Sequence, residues 1–387
     1  MLVTGVTGWL LYWNTNRRRI KPKFELSDRA GLDDMVETFI GITEASIDAG
    51  NRVEVLQNGA YFDRLLDDVR SAKESIHIET FVWWTGDVCD RLAAALAERS
   101  RAGVKVRLML DFSGSQRMDK ELRTQMREAG CEVHRFHAPS LSNLGRLNNR
   151  THRKINVIDG RIGYVGGHGI AKEWSGNAED KEHFRDTCVR MEGPVVNTLQ
   201  GVFCENWIEE TSRVPIGSKY FPRLEKAGDV DAHVAFDSPR GSMSAVQLLS
   251  YLAIAFAREE LLIQNPYFLP HPDAIDELQR AAKRGVDVRI MLPSASSTNK
   301  AIVQHASHHH YGDLLEGGVR IFEYQRTLIH QKIMIVDRRW ASVGSTNFDD
   351  RSFELNDEVT VGLTDPKIAE QLRAAFFDDM QFATEIR

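Results

Sequence analysis

Hydrophobic and polar positions along this chain switch repeatedly between two periods. Ala60–Ser71 spaces its apolar residues three and four apart, as one face of a helix does, and leads into the apolar run Ile76–Trp83. A helix-favouring stretch, Val88–Ser100, is followed by the β-branched run Val104–Leu110, the helical Lys120–Glu128 and a strand over Glu132–Phe136. Gly103 and Gly130 fall where two of these helices should end, as residues that accept the left-handed conformation of a helix C-cap. Strands alternating with helices predict an α/β protein whose sheets are covered by helices on both faces.

The pattern then repeats. Arg101–Leu110 (RAGVKVRLML) matches Lys283–Leu292 (KRGVDVRIML), and Ala129–Phe136 matches Gly317–Tyr324. Thr151–Gly167 (THRKINVIDGRIGYVGG) matches Ile329–Ser345 (IHQKIMIVDRRWASVGS). Three blocks in one order imply a duplicated domain. The expected division is a segment over 1–30, a first domain over 31–212, a linker over 213–228 and a second domain over 229–387. The linker stretch holds two prolines and shows no period. The copies differ most before the third block. Gly130 to His152 spans 22 positions and Gly318 to His330 only 12, so the first copy carries a longer loop near Ala138–Arg150.

Composition adds limits. A chain of 387 residues, 42% hydrophobic and 27% charged, is a globular protein of two domains and not a disordered one. A net charge of −6 gives no overall sign of a nucleic-acid binder. Cys89, Cys131, Cys188 and Cys204 form no CxxC pair and read as reduced core residues. The apolar stretch Met1–Trp13 is too short to cross a bilayer, which takes about 20 residues, and Arg17, Arg18, Arg19, Lys21 and Lys23 follow it. It reads as a membrane-associating segment, with the body on the cytoplasmic side of the cell membrane against anionic lipid.

The chemistry lies in the third block. Both copies contain His-x-Lys-x4-Asp: His152, Lys154 and Asp159, then His330, Lys332 and Asp337. Residues two apart on a strand share a face, so each histidine emerges beside its lysine. An ammonium supplies charge and donors to phosphate oxygens, and an imidazole can attack phosphorus or move a proton near neutral pH. Gly166–Gly167 and Gly344–Ser345 follow at equal spacing and could let the backbone approach an anion.

The paired motifs, with Gly344–Ser352 (GSTNFDDRS) after the second, resemble the phospholipase D superfamily, and within it the bacterial cardiolipin synthases. The likeness runs from about Arg52 to Asp365 and includes Ile78–Trp84, Phe184–Val196, Asn265–Pro270 and Asn356–Leu363. It implies two α/β/α sandwiches related by a pseudo-twofold axis, with one active site at their interface. His152 would then be the nucleophile and His330 the general acid and base. Lys154, Lys332 and Asn347, with Ser345, would hold the phosphate. Asp186 and Glu358 match the carboxylates that the family places behind its histidines, and the expectation is one per half: Asp186 with His152, Glu358 with His330. Asp159 and Asp337 end the motif and are counted with its catalytic groups, although their expected part is to fix the turn after the strand. One departure stands out: where Asn347 sits in the second copy, the first has Gly169 in place of the family's usual asparagine. His168 or a backbone N–H could compensate.

The resemblance implies phosphatidyl transfer between two phosphatidylglycerol molecules, giving cardiolipin and glycerol through a phosphohistidine. No metal, nucleotide or other cofactor is needed, because the intermediate keeps the bond energy. Water or another alcohol as acceptor would make a phospholipase D or a different phosphatidyltransferase. A nuclease or a non-catalytic lipid-binding module fits less well, since both His–Lys pairs are intact and no basic stripe is present. His305, His308 and His309 share one helical face and read as a polar or cleft-lining surface rather than a metal site. Trp83–Trp84 and Tyr267–Phe268 follow corresponding strands and are either core aromatics or a lipid-facing rim.

Overall fold

A computed structural model describes residues 24, 26, 31–140, 145–239, 243–295 and 310–387. The first copy contributes β1 (Asp48–Gln57), β2 (Ser75–Thr80), β3 (Lys105–Asp111), β4 (Glu132–Phe136), β5 (Arg150–Thr151), β6 (Ile155–Ile158), β7 (Ile162–Gly166) and β8 (Thr187–Glu192). The second contributes β9 (Val230–Asp237), β10 (Glu260–Gln264), β11 (Asp287–Pro293), β12 (Arg320–Tyr324), β13 (Ile333–Val336), β14 (Trp340–Gly344), β15 (Asn356–Thr364) and β16 (Ala383–Ile386). Helices Ala60–Ser71 and Lys120–Glu128 occupy the predicted spans, and Gly103 and Gly130 take the left-handed conformation at φ 95° and 99°.

The strands form one continuous hydrogen-bonded path, β16-β12-β11-β10-β13-β14-β15-β9-β1-β8-β7-β6-β2-β3-β4. Read outward from the β9–β1 join, the order on each side is the same, apart from β16, which extends the second copy alone. This is the pseudo-twofold relation expected of a duplication, with the two copies fused edge to edge. Strands β2, β6, β10 and β13 have every residue buried; β13 is an unbroken apolar run, whereas β2, β6 and β10 also bury polar side chains, among them His77, Glu79, Asn156 and Gln264.

The cores explain the joining. One apolar cluster straddles both copies: Ile155, Val157, Val165 and Val189 pack with Ile333, Ile335, Val343 and Val359 under helices Val195–Thr211 and Pro366–Met380. The two outer cores are separate, one per copy. Helix Leu32–Thr43 departs from the expected division. Its stripe Leu32, Met35, Val36 and Phe39 packs into the second copy's core against helix Ala245–Phe256, although sequence order puts it with the first copy. The chain then crosses back through β1. Between Ser212 and Asp229 there is neither helix nor strand.

All four cysteines are buried free thiols. Trp83 and Phe268 are buried, whereas Trp84 and Tyr267 are half-buried, so alternation divides each aromatic pair between core and edge. No described helix is long and apolar enough to cross a membrane. The apolar N-terminal stretch, its basic cluster, and His305, His308 and His309 lie outside the described residues.

Candidate active site

The extended backbone of each His–Lys motif lies beside the segment that precedes the other copy's carboxylate. Strand β5 pairs in parallel with the start of β15, setting Arg150 against Asn356 and Thr151 against Asp357. His152 N–H then donates to the Asp357 carbonyl at 2.9 Å. The symmetric partner follows suit: Arg185 bridges Ile329, and His330 N–H donates to the Arg185 carbonyl at 2.7 Å.

These ladders fix which carboxylate meets which ring. His152 Nδ1 lies 3.0 and 3.1 Å from the Glu358 oxygens, and His330 Nδ1 lies 2.8 Å from Asp186 Oδ2. The pairing is therefore crossed, and the expectation that each carboxylate backs the histidine of its own half is wrong. The reason is topological. Within a copy β7 separates β6 from β8, so a carboxylate at the head of β8 stands two strands, roughly 10 Å, from its own histidine. The other copy's histidine is adjacent. Nδ1–H donated to a carboxylate leaves Nε2 with a free lone pair.

Each carboxylate is held in turn. Asp186 accepts from Trp174 Nε1 at 2.8 Å and from Thr187 N–H at 2.8 Å. Glu358 accepts from Ser345 Oγ at 2.5 Å and from Asn356 Nδ2 at 3.3 Å. Ser345 Oγ also accepts from Val359 N–H at 3.0 Å, so it stands behind His152 and does not face a phosphate as expected. The glycines have a similar explanation. A Cβ at Gly167 would lie 2.3 Å from Asp186 Oδ1, and one at Gly166 2.5 Å from the Thr187 carbonyl. They make room for the supporting carboxylate and the next strand, where the sequence suggested approach to an anion.

Both rings and both lysines are at least nine-tenths buried. Burial lowers His152 to about 4, against the opposing pull of Glu358, and lowers His330 to about 3 with Lys332 adding to the effect. Burial likewise lowers Lys154 to about 8 and Lys332 to about 7. Burial alone would raise Asp186 and Glu358, but the surrounding histidines and lysines hold both below the usual carboxylate range. At neutral pH the site of the free protein thus holds two neutral imidazoles over two carboxylates. Lys154 Nζ donates to the His152 carbonyl at 2.6 Å, and Lys332 Nζ to that of His330. Asn347 is buried, and its Oδ1 accepts no hydrogen bond among the described residues.

Asp159 and Asp337 take no part in this cluster. Each sits past the far end of its strand and accepts three successive backbone N–H groups: Lys73, Glu74 and Ser75 for Asp159, and Arg258, Glu259 and Glu260 for Asp337. They tie β6 to β2 and β13 to β10. Counting them with the catalytic groups because they end the motif is corrected by this geometry.

Gly169 is filled space, not a gap. A Cβ there would lie 2.9 Å from both the Trp174 ring and Val82. The Trp174 ring sits edge-on to His330 at 5.1 Å between centroids, so an asparagine at 169 would collide with the residue that holds Asp186. His168 does not compensate: its Nε2 lies 2.9 Å from the Asn58 carbonyl, and its ring packs on Tyr61. Sequence reading missed Trp174, which lies outside every repeated block. It also missed Phe81, whose ring stands 5.2 Å from that of His152. Among the described residues Glu179, Asp180 and His183 group as possible metal ligands, but they are surface residues apart from the paired histidines.

Two fused α/β copies, each lending a buried histidine and lysine to one centre and a carboxylate to the other's histidine, define a phospholipase D-type fold and site. The family model described as "Cardiolipin synthase, PLD-like domain" matches twice, over residues 65–194 and 252–380, and the chain belongs to that family. It is 33% identical over 364 residues to the major cardiolipin synthase of Bacillus subtilis (strain 168), covering 92% of this chain and 75% of that one. It is 32% identical over 357 residues to cardiolipin synthase 2 of Staphylococcus epidermidis (strain ATCC 35984), covering 91% and 73%. In fold it is similar to phosphatidylserine synthase from Haemophilus influenzae Rd KW20, with a TM-score of 0.66 at 12% identity over 91% of this chain and 92% of that one.

Proposed function

We propose that this protein is a cardiolipin synthase that joins two phosphatidylglycerol molecules. The observation that carries the reading is the crossed pair, His152 on Glu358 and His330 on Asp186, at the junction of two copies of a cardiolipin synthase family domain. Entry of the anionic phosphodiester sets a negative charge against His330 and favours its imidazolium, so His330 takes up a proton from solvent at Nε2 as the donor binds, while His152 stays neutral. His152 Nε2 attacks the donor phosphorus, and the P–O bond to glycerol breaks as His330 Nε2 gives the departing oxygen that proton. A hydroxyl of the second phosphatidylglycerol then attacks phosphorus, its proton passes to His330, and the P–N bond to His152 breaks. Lys154, Lys332 and the Asn347 amide hold the non-bridging oxygens, where charge grows in the five-coordinate transition state. Burial of the whole cluster limits water, which transfer to an alcohol requires. The division into domains at 31–212 and 229–387, and a cell-membrane location with anionic lipid contact through residues 1–30, belong to the same reading.

The test is covalent trapping. Protein mixed with phosphatidylglycerol labelled in its phosphate and quenched in alkaline detergent, where a P–N bond survives, should carry label on His152 and release labelled cardiolipin if left to turn over. His152→Asn should carry none. Label on His330 would reverse the two roles, and labelled phosphatidic acid as the sole product would make the protein a hydrolase.

A further inference from the structure

The two His–Lys pairs are near twins, but their surroundings are not. Counting along the strand, Arg150, His152 and Lys154 share one face. The same positions in the second copy are Leu328, His330 and Lys332. After the second motif comes Arg351, whose counterpart in the first copy is Glu173. The duplication thus leaves two arginines on the His152 side of the centre, facing a leucine and a glutamate at the matching places on the other side.

These arginines lie close together without carboxylate partners. Neither forms a salt bridge among the described residues. Arg351 gives its guanidinium N–H groups to the side chain and carbonyl of Asn148 at 3.1 and 3.0 Å. Arg150 Nη2 donates to the Leu147 carbonyl, while its Nη1 is buried with no hydrogen-bond partner among the described residues. One loop holds both guanidinium groups, Arg150 at Leu147 and Arg351 at Asn148, and strand pairing sets Arg150 against Asn356, two residues before the carboxylate that backs His152. The nearby acids do not neutralise them by contact. Asp111 Oδ1 accepts from Ser113 and Gly114 N–H and Asp349 from Ser352 N–H, and neither forms a salt bridge with the arginines among the described residues, although the charges of both act on Arg351. Two like charges held by neighbouring loop carbonyls, one of them with a buried N–H that no described group accepts, form a receptor for an anion.

We infer that Arg150 and Arg351 bind the second phosphate of the reaction, the one belonging to the acceptor. This rests on the synthase reading and extends it. While the lysines hold the phosphoryl group being transferred, the acceptor brings a second phosphodiester three carbons from the attacking hydroxyl. A centre that only hydrolysed, or that took a neutral alcohol, would have no use for a second cationic site. Arginine suits the task, since its planar fork grips a phosphate through two N–H groups and stays charged.

The test compares two labelled soluble acceptors, glycerol and glycerol 1-phosphate, with short-chain phosphatidylglycerol as donor. Wild-type protein should prefer the phosphorylated acceptor. Arg351→Ala should cut that preference about 10- to 100-fold, the scale of losing hydrogen bonds to a charged group. Arg150→Gln should act the same way, and Arg351→Lys should restore part of it. A ratio is read, so a loss of folded protein cancels. Equal use of both acceptors by wild type, or an unchanged ratio in both variants, overturns the subsite while leaving the synthase reading intact. Hydrolysis of the donor with no transfer to either acceptor overturns the synthase reading and the subsite with it.

Discussion

At the scale of single residues, the crossed carboxylates give two variants distinct signatures. Glu358→Gln removes the charge behind His152, so formation of the phosphohistidine should slow by roughly 10²–10⁴-fold, the range for a mispositioned acid–base group. Asp186→Asn removes the charge behind His330 and should slow both departure of glycerol and activation of the acceptor. Rapid-quench measurement of labelled intermediate separates them: formation is the step that slows in the first variant, whereas formation and breakdown both slow in the second. The reverse pattern would restore the within-half pairing that linear order suggested. The lowered lysines make a second prediction. With Lys332 at about 7 and Lys154 at about 8, both lose charge as pH rises through 7 to 9, where an ordinary lysine stays charged. Vanadate binding to the free protein should therefore weaken over that range and take up protons as the anion restores the ammonium charge. Affinity constant to pH 10 would mean that burial does not lower these lysines. The residues themselves were legible, because two equal motifs in one chain are rarely accidental. Their partners were not, since a sequence does not say which copy's strand end lies against which histidine.

At the scale of elements, strand and helix spans were readable where a period was strong, as in Ala60–Ser71 and Lys120–Glu128. What was not readable is what each conserved-looking turn residue is for. Asp159 and Asp337 stand at fixed spacing from the catalytic pairs, yet they bind the first amides of β2 and β10. Asp159→Ala leaves three N–H groups without their acceptor, at a cost of about 1–3 kcal/mol. Thermal unfolding should occur several degrees lower, while turnover per folded molecule stays near wild type. A loss of turnover without a fall in melting temperature would return this aspartate to the catalytic set. Gly169 and Trp174 show the same limit. A missing asparagine reads as a missing phosphate donor, but the space it would need is occupied by the indole that holds Asp186. Gly169→Asn should accordingly damage the His330 side of the reaction instead of improving phosphate binding, seen as a slower breakdown of the intermediate.

At the scale of the whole molecule, duplication was visible in three repeated blocks, but fusion was not. Nothing in the blocks says that β1 and β9 pair, or that helix Leu32–Thr43 crosses over to the second copy's core. Both follow from burial: the inner faces of the copies are apolar, and neither can cover its own. The active site inherits that dependence, because each copy lacks the carboxylate for its own histidine. A chain divided in the linker over 213–228 should therefore give a first fragment with His152 and Lys154 in place but no Glu358, and a second with His330 but no Asp186. Expressed alone, neither should take label from phosphatidylglycerol. The first should also aggregate, since Leu32, Met35, Val36 and Phe39 lose the surface that buries them, and helices so exposed invite association. Coexpressed fragments should reassemble along β1–β9 and regain labelling on His152. Labelling of the isolated first fragment at the rate of the intact chain would show that the crossed carboxylate is dispensable, and that each copy carries a complete nucleophile of its own.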